Sequence, residues 1–402
     1  MLSDLDGLMR SRSIDTILVP MHESMHPSFR WITRGAKVTR GYACKTIGEE
    51  PVLIAYPMER EEAAATGLQT RLVTEFEFDR IFRDASGPVA AYGEFFDELL
   101  RSLRSGPRIG IFGNLPMPLY LGISDALGEK GWMIPRLGGE DLIQLARKRK
   151  DRHEIEAIAS VGERTEQVVD RIRHVLRDSV VQSERLLYQD RTLTLGDLKQ
   201  LVSGEIARLG MVEDHETILS QGRDAAIPHS RGDAAAEVRP SVPIVLDIFP
   251  ADRVSGYFFD LTRTFCVGPI PEELRRIHAD VLVAFEAAEE QMRPGTRASS
   301  YQAMVCDLFE QRGYATSRSV PGTHEGYVHS LGHGVGLDVH ERPSFSLAAG
   351  NLDLVEVGDI LTIEPGLYFP DREIGVRIEE TFVIEEDGSA RSLCRSDRGL
   401  IP

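Results

Sequence analysis

Cysteine is scarce in this 402-residue chain. Its four residues, Cys44, Cys266, Cys306 and Cys394, stand singly and form no Cys-x-x-Cys pair. That argues against a disulfide framework and makes a reducing cytoplasm the expected setting. Long apolar runs are missing too: no stretch approaches the length that spans a bilayer, so no membrane partner is expected. The opening Met-Leu-Ser-Asp-Leu-Asp has neither the basic start nor the apolar run of a secretory signal. Positive charge is also short, with 46 Lys and Arg against 63 Asp and Glu and a net charge of −17. This disfavours nucleic acid, which needs a basic face. Finally, the first 145 residues hold no Gly-x-Gly-x-x-Gly and no Gly-x-x-x-x-Gly-Lys-Ser/Thr, so no nucleotide site is indicated there.

What is present is ordinary globular sequence, too long for one compact core; two domains are expected. The first part alternates β-rich runs with helix. Ser13–Pro20, Val38–Thr46, Pro51–Tyr56 and Arg108–Phe112 read as strands, and Ala90–Leu103 as a helix, which predicts an α/β layer. A charged helix begins near Leu145. Its basic cluster, Arg147–Arg152, reads as a solvated linker, and the boundary is placed there, giving domains 1–148 and 149–402. The second domain combines helices at Leu195–Leu209, Pro271–Met292 and Ser299–Gly313 with strands at Ile244–Phe249, Ile360–Glu364 and Gly375–Ile384, an α+β pattern.

Its informative feature is acid inside strands. Asp247 lies in Val-Pro-Ile-Val-Leu-Asp-Ile-Phe, Glu364 ends Asp-Ile-Leu-Thr-Ile-Glu, and Glu379 interrupts Gly-Val-Arg-Ile-Glu-Glu-Thr-Phe-Val-Ile. A buried carboxylate must be protonated, ion-paired or metal-bound, because its desolvation is otherwise too costly. One alone suggests an ion pair with Arg263 or Arg377; three in one domain suggest a shared cation. Asp260 follows Asp247 by thirteen positions, the spacing of two strands joined by a hairpin. Asp252, on the intervening turn, is explained by solvent exposure. Four histidines, His324, His329, His333 and His340, fall within seventeen residues, and His333 sits in Gly-His-Gly-Val-Gly, where glycine lets backbone approach closely. Imidazole among carboxylates suits manganese, zinc, cobalt or iron better than calcium. Four carboxylates and one imidazole match a pair of ions roughly 3.5 Å apart, a hydrolytic arrangement that needs no Ser or Cys nucleophile.

These motifs resemble those of the pita-bread metallopeptidases. The likeness runs through Gln-Gly-Arg-Asp-Ala-Ala-Ile-Pro-His229, Asp247, Phe-Asp260-Leu-Thr-Arg-Thr-Phe and His329-Ser-Leu-Gly-His333-Gly-Val-Gly-Leu-Asp-Val-His340-Glu. It continues through Thr-Ile-Glu364-Pro-Gly-Leu-Tyr and Arg377-Ile-Glu379-Glu, covering about Lys150–Pro402. Phe29-Arg-Trp-Ile-Thr-Arg-Gly and Glu-Pro-Val-Leu-Ile-Ala-Tyr-Pro-Met-Glu-Arg resemble the creatinase-type N-terminal domain, which points to the prolidase and aminopeptidase P branch.

The resemblance implies metal ligation by Asp247, Asp260, His333, Glu364 and Glu379, with Asp260 and Glu379 bridging two divalent ions and a hydroxide between them as nucleophile. Manganese is the first expectation, with zinc and cobalt as alternatives. Glu364 would also shuttle a proton. His229, His329 and His340 would line the cleft, bind the substrate carbonyl and stabilise the oxyanion. Arg377, read as sharing a strand and a face with Glu379, would orient carboxylates of the enzyme or the substrate. Where prolidases often carry a carboxylate-anchoring arginine after His-Glu-x-Pro, this chain departs with Ser344 after His340-Glu341-Arg342-Pro343, and Arg342 is the candidate to anchor a substrate carboxylate in its place. The implied substrate is a proline-containing peptide, and the implied assembly a homodimer. Dipeptidase and aminopeptidase stay open. So do a small non-peptide substrate, as in a dimethylsulfoniopropionate lyase of this fold, and a non-catalytic binding protein.

Overall fold

A computed structural model describes residues 2–21, 25–139 and 141–402. The chain divides into two compact units, one ending at Arg147 and the other spanning Lys148–Pro402.

The first unit is a five-stranded mixed sheet of β1 (Thr16–Met21), β2 (Gly41–Thr46), β3 (Val52–Ala55), β4 (Gln69–Leu72) and β5 (Ile109–Ile111), ordered β4-β3-β2-β1-β5. Every residue of β1 is buried, as a mostly apolar run in an interior strand requires. Helices α1 (Pro88–Ser102) and α2 (Met117–Glu129) supply a core of Phe95, Phe96, Leu99, Ile123 and Leu127 that packs with Tyr42 and Ile54 of the sheet. This is the α/β layer expected from the alternation.

The second unit opens with α3 (Arg152–Arg177), whose start is fixed by a reciprocal cap. Asp151 accepts from the Glu154 amide, and Glu154 accepts from the Asp151 amide, both at 2.9 Å. Ile158, Val161, Val168, Val169, Ile172 and Val175 recur at helical spacing and are buried. With α4 (Leu195–Arg208) they cover a three-stranded antiparallel sheet of β6 (Ile218–Gln221), β7 (Ile244–Ile248) and β8 (Leu261–Phe265). A second half packs α5 (Glu272–Gln291) and α6 (Ala298–Gln311) against a five-stranded sheet. Its strands are β9 (His333–Gly334), β10 (Glu341–Ser344), β11 (Ile360–Ile363), β14 (Glu380–Ile384) and β15 (Ala390–Ser392), ordered β10-β9-β11-β14-β15. A two-stranded ribbon, β12 (Gly366–Phe369) with β13 (Ile374–Arg377), lies between β11 and β14 in the sequence. Side chains of the five-stranded sheet alternate between the two cores: Ile360 and Val383 enter the first, Leu361 and Phe382 the second.

Two expectations are corrected. The run Gly375–Ile384 is two strands in different sheets, because Ile378 and Glu379 leave the ladder. The Glu379 amide instead donates to the Thr262 carbonyl at 3.2 Å. The basic cluster at Arg147–Arg152 is not a solvated linker: Arg147, Lys148 and Lys150 are buried. Lys150 Nζ lies 3.0 Å from the Glu341 carboxylate with both side chains 1% exposed, so burial is tolerated through paired charge. Only at the helix start does the charge face water, with Arg152 93% exposed. A three-stranded hairpin sheet of Val180–Gln182, Arg185–Tyr188 and Arg191–Thr192 was not anticipated.

Candidate metal centre

The site forms where the two halves of the second unit meet. Asp247 is on β7, paired in register with Thr262 of β8. Asp260 precedes β8 by one residue and shares the face of Thr262 through the two-residue period of extended chain. The hairpin expected from the Asp247–Asp260 spacing is thus present. Thr262 joins this half to the other. Its hydroxyl donates to Glu379 Oε2 at 2.6 Å, while its carbonyl accepts the Glu379 amide. The break between β13 and β14 therefore delivers Glu379 to the seam.

From the second sheet, β9 contributes His333 and the residue after β11 is Glu364. Gly332 and Gly334 flank the histidine for a steric reason. A Cβ at either would stand 2.1 Å from the Thr362 carbonyl oxygen or 2.0 Å from that of Arg342. Only glycine lets neighbouring strands close around the ring. His333 Nε2 lies 3.7 Å from Asp260 and 3.4 Å from Glu364. One ligand atom each from Asp260, His333 and Glu379 falls within a 4.8 Å group.

Electrostatics shows what this arrangement lacks. Asp247, Asp260 and Glu379 are 7%, 4% and 2% exposed. Burial first, and then the neighbouring acids, pushes Glu379 up to about 8. The same causes hold Asp260 and Glu364 well above the carboxylate range. Arg377 bonds Asp247 at 2.5 Å and the Thr262 hydroxyl at 3.2 Å, while Arg263 reaches Glu379 through its main-chain carbonyl at 2.9 Å; two guanidiniums, one of them paired with Glu380, do not balance four carboxylates. Arg263 forms its ion pair with Glu380 at 2.7 Å, so ion pairing with these two arginines does not account for the acids. Asp247 Oδ1 and Asp260 Oδ1 are buried without a hydrogen-bond partner. Buried orphan carboxylate oxygens call for a cation.

The histidine fits the same reading. His333 Nδ1 lies 3.0 Å from the Gly334 carbonyl; a carbonyl only accepts, so Nδ1 carries the proton and Nε2 presents its lone pair to the acids. Burial lowers its pKa to about 3, keeping the ring neutral as ligation requires. The residues present thus fit divalent metal.

The other expected residues separate. His340 keeps an exposed face and packs edge-on against His333 at 4.3 Å; desolvation of its packed side and then the proximity of His229 lower its pKa. His229 is exposed on the loop after β6. His329 does not present a free nitrogen to the cleft: Nδ1 donates to the Ser330 carbonyl at 2.8 Å and Nε2 bonds the Tyr368 hydroxyl at 2.9 Å. That hydroxyl also accepts from Arg377 at 2.7 Å, so His329 ends a chain that steadies Arg377 and Asp247. Arg377 orients the enzyme's own carboxylate, and it does so from β13, not from the strand that follows Glu379. The guanidinium of Arg342 pairs with Asp353, whose side chain is 8% exposed. His324 is exposed in a turn. Asp252 caps its turn through the Val254 and Ser255 amides and pairs with Arg164 at 2.9 Å.

Sequence reasoning passed over Thr262, Tyr368 and Gln302. Gln302, buried on α6, accepts from the Tyr327 hydroxyl at 2.9 Å and donates to the His329 carbonyl at 3.2 Å, fixing the segment that leads to His333. A polar residue on the apolar face of a helix was its only signal.

The fold and the site together define a metal-dependent hydrolase. The chain belongs to Metallopeptidase family M24, whose sequence model matches residues 156–386. It is similar to the Xaa-Pro dipeptidase of Pyrococcus horikoshii, 27% identical over 398 residues, 98% of this chain and 96% of that protein. To the Xaa-Pro dipeptidase of Pyrococcus furiosus it is 27% identical over 337 residues, 83% and 86% of the two chains. Among solved structures it shares its fold with an Xaa-Pro dipeptidase from Bacillus anthracis, with a TM-score of 0.78, 21% identity and coverage of 100% and 98%. It also shares it with an X-Pro aminopeptidase from Thermotoga maritima, with a TM-score of 0.74, 22% identity and coverage of 100% and 99%. No helix among the described residues is long and apolar enough to cross a membrane.

Proposed function

We propose that the protein is an exopeptidase that hydrolyses Xaa-Pro bonds with two divalent ions, manganese first, held by Asp247, Asp260, His333, Glu364 and Glu379. The observation that carries this is the grouping of ligand atoms from Asp260, His333 and Glu379 within 4.8 Å, with Glu364 3.4 Å from His333 and orphan carboxylate oxygens on Asp247 and Asp260. The Xaa-Pro dipeptidases of the two Pyrococcus species support the substrate class. When bound, divalent ions supply Lewis acidity toward the scissile carbonyl and an activated water.

The chain's own residues do the rest. Arg377, braced by Tyr368 and His329, holds Asp247 in one rotamer so that its second oxygen stays directed at the seam. Glu364, ionised once a cation offsets the burial that otherwise raises its pKa, would take a proton from the attacking water and return it to the leaving proline nitrogen. His340 and His229, both exposed at the cleft, donate to the substrate carbonyl and the oxyanion that replaces it. With Arg342 engaged by Asp353, it anchors a substrate carboxylate only by exchanging that partner. A homodimer is the proposed assembly and the cytoplasm the proposed setting.

The test is a manganese-loaded assay that compares an Xaa-Pro dipeptide with an Xaa-Pro-Yaa tripeptide. Cleavage of the dipeptide alone identifies a dipeptidase with a carboxylate anchor. Cleavage of the tripeptide identifies an aminopeptidase with an open cleft. Silence on both, in protein that binds two metal equivalents, overturns the peptide reading in favour of a small non-peptide substrate.

A further inference from the structure

A second charged cluster lies outside the metal centre. Lys150 is three residues into the second unit, and its ammonium meets the Glu341 carboxylate at 3.0 Å, both side chains 1% exposed. The other oxygen of Glu341 accepts the amides of Leu337 at 2.9 Å and Asp338 at 3.2 Å. Residues 336–340 therefore wrap around one buried carboxylate. Gly336 is needed for this: a Cβ there would stand 2.5 Å from a Glu341 oxygen. The Gly336 carbonyl is held in turn by the Phe258 amide at 2.8 Å. The loop ends in His340, whose ring lies 4.3 Å from that of His333.

The lysine is itself fixed. Its amide donates to the Gly358 carbonyl at 2.8 Å and its ammonium to the Lys148 carbonyl at 3.1 Å. Lys148 Nζ donates to the Leu354 carbonyl at 2.7 Å and lies 3.4 Å from Asp359. The short stretch at the start of the unit, which leads into α3, is thus tied to the segment 354–359 that precedes β11, and the buried Lys150 ammonium faces the carboxylate around which the His340 loop is folded.

We propose that Lys150 is a positioning residue for His340. By neutralising Glu341 in a dry site it holds the Leu337–His340 loop, and with it the imidazole that faces the scissile carbonyl. Removing the ammonium takes from Glu341 the cation it meets at 3.0 Å in a dry site, and the group that must then readjust is adjacent in sequence to His340. The proposal rests on the reading of His340 as a substrate-facing group, so its test carries a readout that needs no turnover.

Lys150→Met keeps most of the length of the side chain, unbranched, and removes its charge. In protein that cleaves an Xaa-Pro substrate, kcat/KM is expected to fall about 10–100-fold with metal content unchanged, the range for loss of a group that orients a site residue. In a His340→Ala background the same substitution should cost less than ~3-fold, because the residue it positions is gone. Equal losses in both backgrounds mean a purely structural role and overturn the proposal. Independently of activity, carbethoxylation of His340 in metal-free protein, followed by mass spectrometry, should change several-fold in Lys150→Met, while exposed His153 reacts as before. An unchanged rate at His340 also overturns it. Lys150→Met/Glu341→Gln removes both charges and keeps an acceptor for the Leu337 and Asp338 amides. It decides the matter if the single variant does not fold: wild-type labelling of His340 supports the proposal, and labelling as fast as that of His153 refutes it. A wild-type protein silent on Xaa-Pro peptides defeats the functional reading, and the labelling experiment still rules on Lys150.

Discussion

Removing metal should make the catalytic unit lose stability as the solution becomes more alkaline, against the behaviour of its histidines. Glu379 is pushed up to about 8 by burial and then by Asp247, from an ordinary value near 4.3 in the unfolded chain. A group that binds its proton more tightly when folded contributes stability at low pH, and that contribution is lost as pH rises through the folded value. His329 and His333 act in the opposite sense. Burial lowers both to about 3, so their contribution disappears as pH falls below about 6.5 and is constant above it. Asp359, raised to about 6 by burial, has also given up its contribution by then. The window from pH 6.5 to 8 therefore isolates the metal-site carboxylates.

Across that window Glu379 alone removes ~2 kcal/mol, at ~1.4 kcal/mol for each pH unit. Asp260 and Glu364, raised by burial and by one another's neighbours, act in the same direction. For a unit of this size the fall in Tm is ~4–8 °C. The assay is scanning calorimetry on chelator-treated protein in buffers of matched ionic strength at both ends of the window. Manganese in excess should flatten the dependence, because bound cation replaces the proton. Glu379→Gln should halve it or better without metal. A metal-free Tm that holds or climbs between pH 6.5 and 8 would refute the reasoning, as would a Gln variant with an undiminished slope.

Three further outcomes follow from the geometry. Glu364→Gln should lower kcat by ~10²–10⁴ through loss of the proton shuttle, with an unchanged circular dichroism spectrum; turnover within tenfold of wild type removes Glu364 from that role. Arg377→Met leaves Asp247 buried without its 2.5 Å partner and should cost the metal-free protein ~3–5 kcal/mol in urea denaturation, a loss under ~1 kcal/mol being incompatible with the pairing. His340→Ala should reduce kcat/KM by ~10²–10³ through loss of an oxyanion donor at constant metal stoichiometry, so a parallel fall in bound metal would recast His340 as a ligand support.

The legibility of this site followed the physics of burial. Asp247, Glu364 and Glu379 were conspicuous because each acid falls in an otherwise apolar run, and a run that tolerates this must compensate it; Asp260 followed from its spacing to Asp247. The glycines around His333 were equally informative, since the strands close to 2.0–2.1 Å of where a Cβ would sit. What stayed hidden depends on which partner a polar group finds across the fold. His329 and His340 are alike as sequence, yet one spends both ring nitrogens on Ser330 and Tyr368, while the other stands exposed beside His333. Arg377 and Glu379 sit two apart, and the run between them reads as one strand. The break at Ile378 arises because the Glu379 amide is drawn to Thr262 of the other sheet, a contact that no local pattern encodes. The basic stretch before α3 shows the same limit. Lys148 and Lys150 have the composition of a solvated linker, and only the arrival of Glu341, 191 positions later, makes burial of Lys150 the lower-energy outcome. Periodicity reports which face is dry; it does not report which charges meet there, and in this enzyme family member the meeting of charges is what places Asp247, Glu379 and His340.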